Sequence, residues 1–182
     1  MAEEAARIRA PELAGGYWVN SEPLTIASLT GRPLLIDFWD YTCVNCIRTL
    51  PYVTEWHRRY SPHGLTVIGV HAPEFSFAKE LDGVKLAIES FGIQYPVVMD
   101  NGFAIWQAYA NRYWPAKYLV DAEGYIRYVH LGEGAYQETE RAIQGLIREV
   151  EKTAALPEEP VAPVRQEDAP GGSYPMTGAG RE

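Results

Sequence analysis

The sequence predicts an α/β fold built on a mixed central sheet, and three observations carry that reading. Apolar runs of strand length alternate with stretches whose apolar residues recur every three or four positions, so strands and helices interleave. The early strands are separated by helix-length connections, which makes them parallel neighbours through crossovers. The last two strands are joined by Asp121-Ala122-Glu123-Gly124, a hairpin signal that adds an antiparallel edge.

In chain order, residues 3–10 read as a short helix stopped at Pro11. Tyr17-Trp18-Val19 follows Gly15-Gly16 as a short strand, and Leu24, Ile26 and Leu29 form a short segment before a turn at Gly31. Leu34 to Trp39 is the first core strand. Residues 44–60 form a helix with Ile47, Leu50, Val53, Trp56 and Tyr60 as its apolar stripe, and Pro51 inside it predicts a kink. Leu65 to Val70 is a second core strand. Lys79 to Phe91 is helical with a break at Asp82-Gly83, Val97-Val98-Met99 is a short strand, and Phe103 to Tyr109 is a short helix. The hairpin strands are Ala116 to Val120 and Tyr125 to Leu131, and Glu138 to Lys152 closes as a helix with Ile143, Leu146, Ile147 and Val150 inward. From residue 157 the composition shifts to five prolines and four glycines, which reads as a mobile tail. The chain thus divides into an extension (1–16), one domain (17–152) and a tail (153–182).

Composition bounds the function. A hydrophobic fraction of 47% suffices for a packed core, and a formal charge of −8 argues against a general nucleic-acid partner. Two cysteines cannot staple a small scaffold, nor do they alone make a structural zinc site, and the four scattered histidines show no ligand spacing; no metal is expected. No run approaches a membrane span, and the acidic start lacks the apolar region of a signal peptide. The expected location is cytoplasmic as written, or extracytoplasmic if a leader or membrane domain precedes this stretch.

Cys43-Val44-Asn45-Cys46 sits where the first core strand passes into a helix. The first helical turn carries unpaired N–H groups and a partial positive charge, which favour the thiolate, the reactive form of sulfur. Cys43 is therefore the attacking sulfur. Cys46, one turn on along the same face, is placed to resolve a mixed disulfide. Asp37 interrupts the apolar strand six residues before Cys43, where a carboxylate is costly to bury unless paired or protonated. It either exchanges a proton with Cys46, directly or through water, or is an acid satisfied by a neighbouring donor. Trp114-Pro115 precedes the hairpin; the proline is either an ordinary loop residue or a cis turn whose exposed backbone pairs with an extended substrate.

The segments LLIDFWDYTCVNC, YPVVMD and YWPAKYLVDAEGYIRYVHLGEG resemble the thioredoxin superfamily, and within it the TlpA-like branch and the thioredoxin-like domain of DipZ-type disulfide interchange proteins. The likeness runs from about Trp18 to Leu146. It implies a thioredoxin-like fold with a helix-and-strand insertion from about Pro73 to Met99, and a cis Pro115 facing the cysteines. It places Asp37 at the family's buried acid and Trp39 at the tryptophan before the motif. Trp39, Val44, Asn45, Trp114, Pro115 and Gly132 are implied as substrate-facing. Val44-Asn45 departs from the Gly-Pro of thioredoxin itself. Thr49 stands where some TlpA-like reductases carry a glutamate, with Glu74 as a candidate replacement or a plain turn carboxylate.

The expected activity is thiol–disulfide exchange with protein substrates through Cys43, Cys46 and Asp37, in the reductase direction. The dithiol serves as the redox group without a further cofactor, and a separate redox partner recycles it. The alternatives are a peroxiredoxin-like thiol peroxidase, which lacks its upstream proline here, and a non-catalytic partner-binding module.

Overall fold

A computed structural model describes residues 7–170. Six strands form one mixed sheet: β1 (Tyr17–Val19), β2 (Leu34–Trp39), β3 (Thr66–His71), β4 (Val97–Met99), β5 (Ala116–Val120) and β6 (Ile126–Leu131), in the order β1-β4-β3-β2-β5-β6. β2, β3 and β4 are parallel neighbours, while β1, β5 and β6 pair antiparallel. The helices are α1 (Val44–Tyr60), α2 (Leu81–Ser90), α3 (Ala104–Ala108) and α4 (Tyr136–Val150). This is a thioredoxin-like fold, and the stretch from Pro73 to Met99 holds α2 and β4 as its extra helix and strand. Among the described residues no helix is long and apolar enough to cross a membrane.

Alternation along the strands splits the core. Leu35, Trp39, Val67, Val97 and Leu119 face α1, α2 and α4, whereas Leu34, Ile36, Phe38, Ile68, Val98 and Tyr118 face α3 and the segment around Leu13, Ile26 and Leu29. Both faces of β2 are covered, which explains its unbroken apolar reading apart from Asp37.

Several boundaries differ from the sequence reading. Residues 7–10 are not helical: Arg9 bridges Tyr125, and Ile8 accepts a hydrogen bond from the Ile126 amide, because the start of the hairpin's outer strand offers an open edge there. The remainder of that expected helix, residues 3–6, lies outside the described residues. The helical break falls at Glu80, which is extended, and Gly83 lies inside α2. A Cβ at Gly83 would stand 2.9 Å from the Tyr41 hydroxyl oxygen, so the glycine serves close packing.

The tail reading is corrected for residues 153–170, which pack back over α1 and α4. Leu156 is buried in the α1–α4 core, and Arg59 and Gln144 bind the carbonyls of Glu159 and Pro157. The Val161 amide donates to the buried Glu140 carboxylate at 2.7 Å. The Tyr52 hydroxyl accepts from the Val164 amide and donates to Asp168. Proline-rich composition limits regular hydrogen bonding but not docking, and here the acceptors are supplied by the helices. Residues 171–182 of that tail lie outside the described residues. Leu156→Ala should lower unfolding stability by about 2–3 kcal/mol in urea titration; a change within about 0.5 kcal/mol, typical of a surface position, would show that the strap contributes nothing.

Candidate active site

The site forms at the end of β2 where the chain turns into α1. The Cys43 amide donates to the Asp40 carbonyl at 3.1 Å, closing a tight turn that presents Cys43 as the N-cap of α1. Its sulfur accepts the Cys46 amide at 3.2 Å, satisfying one of the helix's open N–H groups. Cys43 is partly exposed and Cys46 has no exposed surface; both are free thiols.

The two sulfurs are electrostatically unlike. A hydrogen bond from the Cys46 thiol, joined by the amides of Cys46 and Asn45, holds the Cys43 thiol below the ordinary cysteine range, against burial and the Asp40 charge. Burial pushes the Cys46 thiol well up, and Cys43 and the Asp37 charge push it further. One sulfur is poised to attack, and the other keeps its proton until something removes it.

Asp37 lies on the face of β2 turned toward α1, fully buried. Directly across the antiparallel pair stands Lys117 of β5, the only buried lysine among the described residues. Its Nζ is 3.4 Å from Asp37 Oδ1, a charge contact too long and poorly aligned for a good hydrogen bond; neither group has a hydrogen-bond partner among the described residues. Burial therefore dominates and raises the Asp37 carboxyl above its usual range, with Lys117 pulling the other way. Lys117 escaped the sequence reading, although a lone lysine in the apolar run Ala116 to Val120 is the same signal that marked Asp37.

Asp40 was also missed. It is fully buried and collects donors: the Thr42 hydroxyl at 2.5 Å, the Thr42 amide at 3.3 Å and the Glu74 amide at 3.1 Å, with His71 Nε2 3.2 Å away. Burial alone would raise its carboxyl, but these bonds from His71, Thr42 and Glu74 outweigh it and hold it below the ordinary range. His71 Nε2 also lies 3.3 Å from the Tyr41 amide. One ring nitrogen cannot accept from that amide and donate to Asp40 at once; only the donating form bonds the carboxylate. Glu74, the candidate replacement acid, is exposed and contributes its amide rather than its carboxylate. Thr49 is buried and turns its hydroxyl back to the Cys46 carbonyl.

The Trp114–Pro115 peptide is cis. Ala116 stands opposite Phe38, so Pro115 falls beside the end of β2, where the cysteine loop departs. The Gly132 amide donates to the Pro115 carbonyl at 2.8 Å, and Trp114 Nε1 donates to the Ala72 carbonyl at 2.9 Å, tying the proline turn to both adjacent loops. Val44 is 59% exposed beside Cys43. Of the residues expected to face substrate, Pro115 and Trp39 are buried, and Trp39 lies deepest in the core. It has no exposed surface, packs edge-on against His71 and belongs to the core, because the inward face of β2 is covered by α1.

A family model described as redoxin matches residues 9–146. The protein DipZ of Mycobacterium tuberculosis (strain CDC 1551 / Oshkosh) is 43% identical over 153 residues, covering 82% of this chain and 22% of DipZ. The chain thus spans about a fifth of the length of that relative. The thiol-disulfide oxidoreductase YkuV of Bacillus subtilis (strain 168) is 29% identical over 142 residues, covering 78% of this chain and 95% of YkuV. The solution structure of a thioredoxin-like protein in the oxidized form superposes with a TM-score of 0.71 at 30% identity, covering 79% of this chain and 97% of that one. With the match extending over the whole sheet and the cysteine turn, the chain belongs to the redoxin family, in its TlpA-like thiol–disulfide oxidoreductase branch.

Proposed function

We propose that this chain is a thiol–disulfide oxidoreductase that reduces protein disulfides, with the Cys43–Cys46 dithiol as its redox group. The observation that carries the reading is the asymmetry of the pair: a partly exposed, acidified sulfur at a helix N-terminus beside a buried, protonated one. The Cys43 thiolate attacks a substrate disulfide, and the substrate's second sulfur leaves as a thiolate and takes a proton. Cys46 then gives its proton to Asp37 and attacks the Cys43 sulfur, releasing the remaining substrate thiolate. Two electrons pass to the substrate, and the enzyme is left as the Cys43–Cys46 disulfide for a separate dithiol partner to reduce. Lys117 keeps the Asp37 carboxylate available in an apolar interior. The cis turn at Pro115, the Gly132 loop and exposed Val44 supply backbone and apolar contacts for an extended substrate strand.

Cys46→Ser tests this directly. Incubated in reduced form with a disulfide-bonded protein such as insulin, it should accumulate a covalent adduct through Cys43 that dithiothreitol releases. No adduct, from a folded variant whose Cys43 alkylates normally, would sink the proposal.

A further inference from the structure

We infer that Asp40 is a positioning residue that biases the direction of electron flow: its buried carboxylate, folded into the turn that carries Cys43, opposes the Cys43 thiolate and so moves the dithiol couple toward the reductant side. The inference rests on the function proposed above and adds to it a residue that biases its direction.

The geometry places one residue inside the turn that presents the cysteines. The Asp40 carbonyl accepts the Cys43 amide at 3.1 Å. The carboxylate is held inside the same turn by the amide and hydroxyl of Thr42, the neighbour of Cys43, and is anchored behind by the Glu74 amide and His71. With no exposed surface, its charge is screened little by water or salt and acts across the turn at reduced dielectric. The helix end and the Cys46 thiol favour the Cys43 thiolate; Asp40 is the charged side chain that works against it. A stabilised thiolate stabilises the reduced dithiol and makes an oxidant, so a carboxylate that weakens it moves the couple toward a reductant. The two other acids singled out in the sequence act elsewhere: Glu74 turns its amide, not its carboxylate, toward Asp40, and the Asp37 charge bears on the Cys46 thiol.

The test is Asp40→Asn in the full chain, equilibrated against dithiothreitol redox buffers. The amide keeps an oxygen for the Thr42 and Glu74 donors but loses the charge. The dithiol–disulfide equilibrium should shift at least about tenfold toward the dithiol, which is about 30 mV. The pH midpoint of Cys43 alkylation should fall in parallel, and insulin reduction should slow. Thr42→Val, which keeps the charge, should stay within about threefold of wild type, since it removes one neutral hydrogen bond. An unchanged or oppositely shifted equilibrium in Asp40→Asn overturns the inference, as does a Thr42→Val shift equal to that of Asp40→Asn. Asp40→Ser serves the same comparison should the asparagine chain not fold. A wild-type dithiol with no redox activity defeats the proposed function as well; an active dithiol whose potential ignores Asp40 defeats this inference alone.

Discussion

Cys43→Ser should slow disulfide reduction by at least about a thousandfold, while the folded structure persists. The estimate follows from removing a nucleophile that its partner groups cannot replace. The serine hydroxyl does not ionise near neutral pH, so the donors that lower the Cys43 thiol, from the Cys46 thiol and the amides of Cys46 and Asn45, have no comparable anion to stabilise. As an N-cap, serine is at least as good as cysteine, which keeps α1 intact. The contrast with Cys46→Ser is diagnostic. That variant retains the attacking sulfur and should form its first adduct within about tenfold of the wild-type rate, because Cys43 still has the amide donors. It should nevertheless fail to turn over. Stopped-flow alkylation of Cys43 and insulin turnover, measured on both variants, separate the two steps. Equal turnover by Cys43→Ser and wild type would eliminate the dithiol mechanism.

Lys117→Met should destabilise the fold by about 3–5 kcal/mol at pH 8, and by progressively less as the pH falls. Removing the ammonium leaves Asp37 buried, charged and uncompensated. The sign is set by the direction of the Asp37 shift. Its carboxyl is already raised in the folded protein, so the native state holds a proton that the unfolded chain has released between the ordinary carboxylate pKa of about 3.8 and the raised value. Stability from this group is complete below that window and is lost as pH rises through the folded value. Without Lys117 the folded value rises further, and the penalty extends to higher pH. Protonating Asp37 relieves the variant more than it relieves the wild type, so the gap between them narrows on acidification. Urea unfolding of both proteins from pH 5 to pH 8 measures this; a gap that does not vary with pH would show that Asp37 carries no charge in the interior. Resolution by Cys46 should slow as well, since an Asp37 carboxyl raised further spends less time as the carboxylate that accepts its proton.

What could be read from the sequence was what is local. The extent of α1, Val44–Tyr60, followed from apolar spacing alone, and the hairpin followed from its turn residues. The roles proposed for Cys43 and Cys46 were suggested by a strand passing into a helix, because the helix end acts on sulfur through groups within one turn. Trp39 was misplaced because its side chain leaves β2 on the face that α1 covers, and coverage belongs to the packing of distant segments. The segment 153–170 read as loose for the same reason: its partners Tyr52, Arg59 and Glu140 lie 112, 100 and 21 residues upstream of the groups they bind, and composition is silent about partners supplied from elsewhere.

The proposed exchange site was therefore determined by the sequence itself, since Cys43, Cys46 and the helix whose first turn they share are contiguous in the chain. The tertiary structure decided the charges around that pair. Lys117 meets Asp37 only through the antiparallel register of β5 on β2, and Asp40 meets His71 and Glu74 only because β3 runs parallel beside β2. Buried charges act over a few ångströms of low-dielectric interior, so their effect on the sulfurs depends on which strands become neighbours, a property of the folded sheet that no stretch of sequence contains.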